Sequence, residues 1–266
     1  MKDLILSLLP PDFPWGQKLH YYDCIDSTNT RAKQLAAEGA PHGTVLIADR
    51  QPGGRGRLGR SFHSPGDFGV YMSVILRPNC PPDKLMHLTC AAAVALCDAV
   101  EAAAGFRPGI KWTNDLVSQN RKLAGILTEM ALDSATGLVS YAIIGIGINC
   151  CQQITDFPEE IQHFAGSLSM IAGRPISRPL LAGAMMEALY QMSLRLLDPS
   201  ADTMTQYRKD CITLGKEISV VRGDEIRHGT ALDVDEIGAL AVRFETGQVE
   251  KVNSGEVSIR GLYGYV

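Results

Sequence analysis

The chain reads as an α/β (α+β) domain with a mixed, largely antiparallel sheet and packed helices, followed by a small SH3-like β-barrel. Three observations carry this. Apolar β-branched runs such as "TVLIAD" and "GVYMSVILRP" alternate with long helical stretches in the first two thirds of the chain. The composition changes near Thr213, after which only short strands and tight turns occur. Five such strands ("KEISVVR", "IRHGTALDVD", "GALAVRF", "GQVEKV", "EVSIRG") fit a small closed barrel. The expected domains are therefore residues 1–212 and 213–266.

The elements follow in order. An apolar run from Leu4 to Leu9 makes a first helix or docking segment, since the prolines and aspartate behind it do not suit a signal peptide. "DSTNTRAKQLAAEGAPHG" is a capped helix: Asp26, Ser27 or Thr28 supplies the N-cap oxygen, Ala32, Leu35 and Ala36 form one face, and Gly39 with Pro41 ends it. Thr44 to Asp49 is a buried strand, and "GVYMSVILRP" a second one stopped by Pro78. From about Asp83 to Gly105 a helix apolar almost all round is expected inside the fold, although no stretch is expected to cross a membrane. Residues 109–150 form a run of strands, with "SQNR" and "DSATG" as turns. "RPLLAGAMMEALYQMSLRLL" and "ADTMTQYRKDC" are two more helices.

Charge and cysteine content narrow the function. The formal net charge of −4 lacks the basic excess of a nucleic-acid-binding protein, so any basic site is local. Seven cysteines without a C-x-x-C pair indicate a reducing, cytoplasmic setting and no zinc or disulfide framework. The densest positive spot lies in "RQPGGRGRLGRSFHSP", residues 50–65. Gly54, Gly56 and Gly59 match the dinucleotide fingerprint, but a strand follows where a helix should, and no acidic residue stands about 20 positions on. No Lys-Ser or Lys-Thr completes a phosphate loop of the Walker kind. Arginine–glycine hooks also enter DNA minor grooves, normally from flexible basic tails rather than between two buried strands. Glycines that expose backbone N–H groups, alternating with planar cationic forks, make a loop suited to wrapping an anion.

This loop resembles the signature of biotin–protein ligases, and other segments agree in order. "DSTNT" at 26–30 is similar to the family's entrance to the biotin pocket, "KWTND" at 111–115 to its Lys-Trp-Pro-Asn-Asp segment, and "KLAGIL" and "GIGIN" also match. "SGEVSIRG" resembles the end of its C-terminal barrel. Thr113 stands where the pattern often has proline, and Phe62 where some members have tryptophan. Some members carry an N-terminal helix-turn-helix; the 25 residues before Asp26 are too few for one, so DNA repression is not expected.

The resemblance implies two steps: biotin's carboxylate attacks the α-phosphate of ATP to give biotinyl-AMP, and a lysine of a biotin carboxyl carrier domain then takes the biotin. It implies biotin contacts from Ser27, Thr28, Asn29, Gln51, Arg55, Gly56, Arg57, Lys122, Gly145 and Gly147. It implies ATP contacts from Arg57, Arg60, Phe62, Lys111, Asn114, Lys122 and Asn149, with Mg²⁺ accompanying the nucleotide and no dedicated metal site. Lys122 and Arg57 are the expected catalytic cations; Asp115 either helps place ATP with Mg²⁺ or deprotonates the incoming lysine. Read without the resemblance, Ser27 and Thr28 are a helix cap, Phe62 is core packing and Lys122 is a solvated charge. Lipoate or octanoate ligation on a related fold, and a nucleic-acid module using Arg55 to Arg60, are the alternatives. A homodimer is compatible with the resemblance.

Overall fold

The computed structural model describes residues 1–253 and 258–261. The helices are α1 (Lys2–Ser7), α2 (Thr28–Ala37), α3 (Leu88–Ala104), α4 (Leu168–Ala172), α5 (Arg178–Arg195) and α6 (Thr203–Asp210). The strands of the first sheet are β1 (Leu19–Cys24), β2 (Thr44–Arg50), β3 (Gly69–Leu76), β4 (Gly109–Lys111), β5 (Asp115–Ser118), β6 (Arg121–Leu132) and β7 (Val139–Asn149). They form a seven-stranded sheet in the order β1-β2-β3-β7-β6-β5-β4. Only the β1–β2 pair is parallel, so the sheet is mixed and largely antiparallel, as the sequence leads one to expect.

The two-residue period of the strands decides what each face carries. In β3, Val70, Met72, Val74 and Leu76 point into the main core with α3 and α5, and in β7 Ile144, Ile146 and Ile148 do the same. The opposite face carries Ile75, Ile143 and Leu46 under Ala32 and Ala36 of α2. Ser73, Gly145, Gly147 and Asn149 share that second face by register, beyond the N-terminus of α2. There the sheet holds small and polar residues instead of aliphatic ones, which leaves space for a cavity.

The structure departs from the sequence reading in three respects. β1 was not foreseen: only Leu19 of its residues is buried, and it lies at the sheet edge against β2. A strand with so little apolar alternation gives no clear period-two signal. The helix expected from Asp83 to Gly105 is divided into a 3-10 turn at Pro82–Leu85 and α3, which Gly105 ends in a left-handed conformation (φ 81°). Contrary to expectation, the Pro82–Ala104 stretch has the length and apolarity to cross a bilayer, with a mean hydropathy of 1.5 over its best window. Here it is the core helix: most of α3 is buried, against α5 and α6.

The remaining strands, β8 (Glu217–Arg222), β9 (Glu225–Val234), β10 (Leu240–Phe244), β11 (Val249–Val252) and β12 (Ser258–Gly261), form a five-stranded antiparallel sheet in the order β11-β10-β9-β8-β12. This is the small SH3-like module. Residues 254–257, which begin the "SGEVSIRG" segment, and 262–266 lie outside the described residues. Trp112 links the two sheets: its indole Nε1 donates to Gly238 O at 3.0 Å and its backbone N–H to Thr213 Oγ1 at 2.9 Å.

Candidate active site

A cavity of about 1010 Å³ opens on the second face of the large sheet. Every site residue named from the sequence lines it: Ser27, Thr28, Asn29 and Gln51, then Arg55, Gly56, Arg57, Arg60 and Phe62, then Lys111, Asn114, Asp115, Lys122, Gly145, Gly147 and Asn149. Residues far apart in the chain thus converge on one volume.

One end is uncharged. The Ser27 side chain caps α2, accepting from Thr30 N–H at 3.5 Å, while Ser27 also lines the cavity. Cap and cavity residue are therefore the same group. Thr28 N–H donates to Gln51 Oε1 at 2.8 Å, and Gln51 Nε2 donates to Ser64 Oγ at 3.2 Å. Asn29 Nδ2 donates to Leu127 O and to Glu129 Oε2. Gly145 is what allows this: a Cβ there would lie 1.9 Å from Asn29 Oδ1. A Cβ on Gly147 would lie 2.5 Å from the Phe62 ring, which covers that part of the floor. The two glycines admit the protein's own side chains, an amide and a ring, rather than leaving bare backbone.

The other end is cationic. The arginine–glycine loop is a tight hairpin: Arg55 bridges Ser61, and Gly56 N–H donates to Arg60 O at 2.7 Å. At its tip Leu58 and Gly59 have positive φ, and Leu58 is exposed. Arg57 turns inward, donating to Asn114 Oδ1 at 2.8 Å and to Thr113 Oγ1 at 3.3 Å. Thr113 thus gives Arg57 a hydroxyl that a proline at this position would lack; the Trp112–Thr113 peptide is cis. Burial lowers the Arg57 pKa from its ordinary value, and the nearby Asp115 charge opposes that shift.

Lys122 reaches this cluster because of its local sequence. Gln119 and Asn120 both have positive φ and close a two-residue hairpin between β5 and β6, so Lys122 returns beside Asp115. A register shift between Leu116 and Val117 lies between the two residues' pairings. Lys122 Nζ donates to Asp115 Oδ1 at 2.7 Å, and both side chains are mostly covered. Asn114 Nδ2 donates to the same carboxylate oxygen at 3.2 Å. The arrangement fixes a lysine and an arginine beside one carboxylate, a geometry that receives anionic oxygens.

Comparison with known proteins places the chain in a family. The Biotin/lipoate A/B protein ligase family model matches residues 21–149, and that of the Biotin protein ligase C terminal domain matches residues 213–260. The bifunctional ligase/repressor BirA of Bacillus subtilis is 38% identical over 248 residues, 92% of this chain and 74% of that protein. The biotin–[acetyl-CoA-carboxylase] ligase of Mycobacterium tuberculosis is 30% identical over 237 residues, 87% of this chain and 85% of that one. The chain belongs to the biotin–protein ligase family. Among solved structures, the biotin protein ligase from Aquifex aeolicus in complex with biotin and ATP superposes with a TM-score of 0.76 at 28% identity, covering 91% of this chain and 98% of that one. The present chain is accordingly a ligase enzyme, and the main reading of its sequence stands.

The cavity has a second wall that the sequence reading missed. Phe157, Ile161, His163, Phe164 and Ala165 line it from the segment after β7. That segment is tied to the lysine strand: Lys122 N–H donates to Phe164 O at 2.7 Å, Gly166 N–H donates to Lys122 O at 3.0 Å, and Arg121 Nη1 donates to Gln162 O and Ala165 O. Its 3-10 turns carry no period of two or of 3.6, so nothing in the local sequence marked it. Ser73 and Glu129 were missed as well. Ser73 reads as one more residue of a buried strand, and Glu129 as a solvated charge on β6.

Proposed function

We propose that this ligase activates biotin with MgATP and transfers it to a lysine of a biotin carboxyl carrier domain. The observation that carries the proposal is the polarity of the cavity, neutral and hydrogen-bonding at the Ser27–Gln51 end and cationic at the Arg57–Lys122 end. Biotin has the same polarity, with an uncharged ureido head and a carboxylate tail.

In the first step a biotin carboxylate oxygen bonds to the α-phosphorus of ATP, and the bond from that phosphorus to the bridging oxygen breaks, releasing pyrophosphate. Two anions must approach each other. Lys122 and Arg57 offset their repulsion from fixed positions, so little reorganisation is needed as charge shifts in the transition state. In the second step the carrier's amine attacks the acyl carbon, AMP leaves, and the amine loses its proton. Asp115 holds Lys122 in place, and its carboxylate remains a candidate acceptor for that proton.

Mg²⁺ belongs to the substrate in this scheme, arriving on the triphosphate. Among the described residues there is no group of three or more His, Cys, Asp or Glu side chains that could hold a metal ion. One carboxylate and phosphate oxygens are an ordinary Mg²⁺ environment.

The same proposal takes residues 1–212 as the catalytic domain and 213–266 as the C-terminal one, and a reducing compartment, the cytoplasm, as the setting. The free thiols support the latter. The edge strand β1 offers unpaired backbone groups to a second copy, which supports a homodimer. The decisive experiment is incubation of the protein with biotin, MgATP and a carrier domain, read by intact mass. A single biotinyl addition that requires both ATP and Mg²⁺ is expected; no addition on several carrier domains would reject the proposal.

A further inference from the structure

The arginine–glycine loop is the tip of a longer ribbon. Counting from the tip, Gly56 N–H donates to Arg60 O at 2.7 Å, Arg55 bridges Ser61, Phe62 N–H donates to Gly54 O at 2.9 Å and Gln51 N–H donates to Ser64 O at 3.1 Å. Two arms, one leaving β2 and the other leading into β3, thus run side by side. At the base, Asp67 N–H donates to Asp49 Oδ2 at 3.2 Å and joins them again. Near the tip, Arg55, Leu58 and Arg60 are exposed. The aim of Arg57 therefore depends on its contacts to Thr113 and Asn114 and on how the arms are held lower down.

One side chain behind the base touches both arms. Arg178 begins α5, where Ser177 caps the helix, and α5 packs against α3 in the core. Its Nη2 pairs with Asp49 Oδ1 on the first arm. Its Nη1 lies 3.7 Å from Asp67 Oδ1 on the second, and its Nε donates at 2.9 Å to Gly69 O, where that arm enters β3. The Arg178 and Asp49 side chains are only 13% and 20% exposed, so water screens their attraction less than at the surface. The second arm is shaped to this contact: Asp67 has a positive φ of 65°, and a Cβ on Gly66 would lie 3.0 Å from Asp49 Oδ2. A planar guanidinium, with donors fixed in several directions, can face all three acceptors at once.

We infer that Arg178 and Asp49, neither of which lines the cavity, are positioning residues for Arg57. They tie the base of the ribbon to the core, and the paired arms carry that placement to the tip. The inference rests on the proposed activation of biotin, in which Arg57 offsets charge as carboxylate and α-phosphate approach. A group that stabilises developing charge works only from a place set in advance. A misplacement of about 1 Å can cost about 10²-fold in rate. Here part of the hold survives loss of the clamp, because Gly53 N–H still donates to Asp26 O at 3.0 Å on the first arm. The expected loss is accordingly about ten-fold.

The test is single-turnover adenylate formation from saturating biotin and MgATP, compared in the wild type, Asp49→Asn, Arg57→Ala and the double variant. Asp49→Asn keeps an acceptor for Asp67 N–H and loses the ion pair to Arg178. In the otherwise native chain it should slow adenylate formation by about ten-fold. In the Arg57→Ala background it should have almost no effect, because no guanidinium is left to aim. A merely structural role would slow both backgrounds by the same factor, since independent effects add in free energy. Arg178→Gln should repeat the pattern, and either variant decides the matter if the other does not fold. A folded variant that forms adenylate at the wild-type rate, or equal slowing in both backgrounds, overturns the inference. A wild-type protein that forms no adenylate at all would instead overturn the function from which the inference starts.

Discussion

At one end of the cavity, Thr28, Asn29 and Gln51 are held by hydrogen bonds running from α2 to the end of β2, to β3 and to β6, one of them to the Glu129 carboxylate. At the other, Arg57 and Lys122 are held by Asn114 and Asp115, on a hairpin and a loop. The first end is uncharged, and its groups lie at the N-terminus of α2 and against the sheet. The second is cationic, with Arg57 on a loop held by neutral partners and Lys122 at the start of β6 held by an ionic one. In the proposed function, binding depends on the rigidity of the first end, and rate on the positioning of the second. Damage at each should therefore appear in different measurements.

The largest effect is expected at the charged end. Lys122→Ala should slow single-turnover formation of the adenylate by about 10²- to 10³-fold, the range found when one preorganised charge-stabilising group is lost. Biotin affinity should change far less; a rate within a few-fold of wild type would remove Lys122 from the mechanism. Next is Gly145→Ala, at the neutral end. The new Cβ would collide with Asn29 Oδ1 and break the amide's bonds to Ser73 and Glu129. Titration calorimetry should show biotin binding weakened by about ten- to hundred-fold. Undisturbed affinity would mean that Asn29 does not organise the head pocket.

Arg57→Lys keeps the charge but loses the planar fork that reaches Asn114 and Thr113 together. The expected result is an adenylate that forms and then escapes about ten-fold faster, followed by release of labelled AMP ester from the isolated complex. The smallest effect belongs to Trp112→Phe. It removes the donor to Gly238 O and leaves a ring in place, so stability should fall by about 1 kcal/mol. Because Trp112 precedes the Thr113–Asn114 pair that holds Arg57, the apparent KM for ATP should rise while the dissociation constant for biotin stays constant. A change in biotin affinity alone would place the strut at the wrong end.

The two ends also differed in how far the sequence revealed them. The arginine–glycine loop was legible because glycine and arginine in alternation have few uses other than holding an anion, and the tight "SQNR" turn before Lys122 was legible from its residues. The strands of the C-terminal module were legible from alternation and turn residues. The network behind the neutral end was hidden, since Ser73 and Glu129 lie 44 and 100 positions from Asn29. The wall at Phe157–Ala165 was hidden for a similar reason: backbone bonds to β6 shape it, and its own pattern has no period.

The chain's own residues determined its two modules, its helices and inner strands, its family and a list of side chains that line one cavity. Those properties follow from local periodicity and from motifs short enough to be read in place. Tertiary structure alone decided that Asp115 holds Lys122, that Asn114 aims Arg57, that glycines 145 and 147 admit an amide and a ring, and that Ser73 and Glu129 hold Asn29 from behind. Such facts depend on distances of a few tenths of an ångström between groups that only the closed sheet brings together, and a linear pattern carries no such distances.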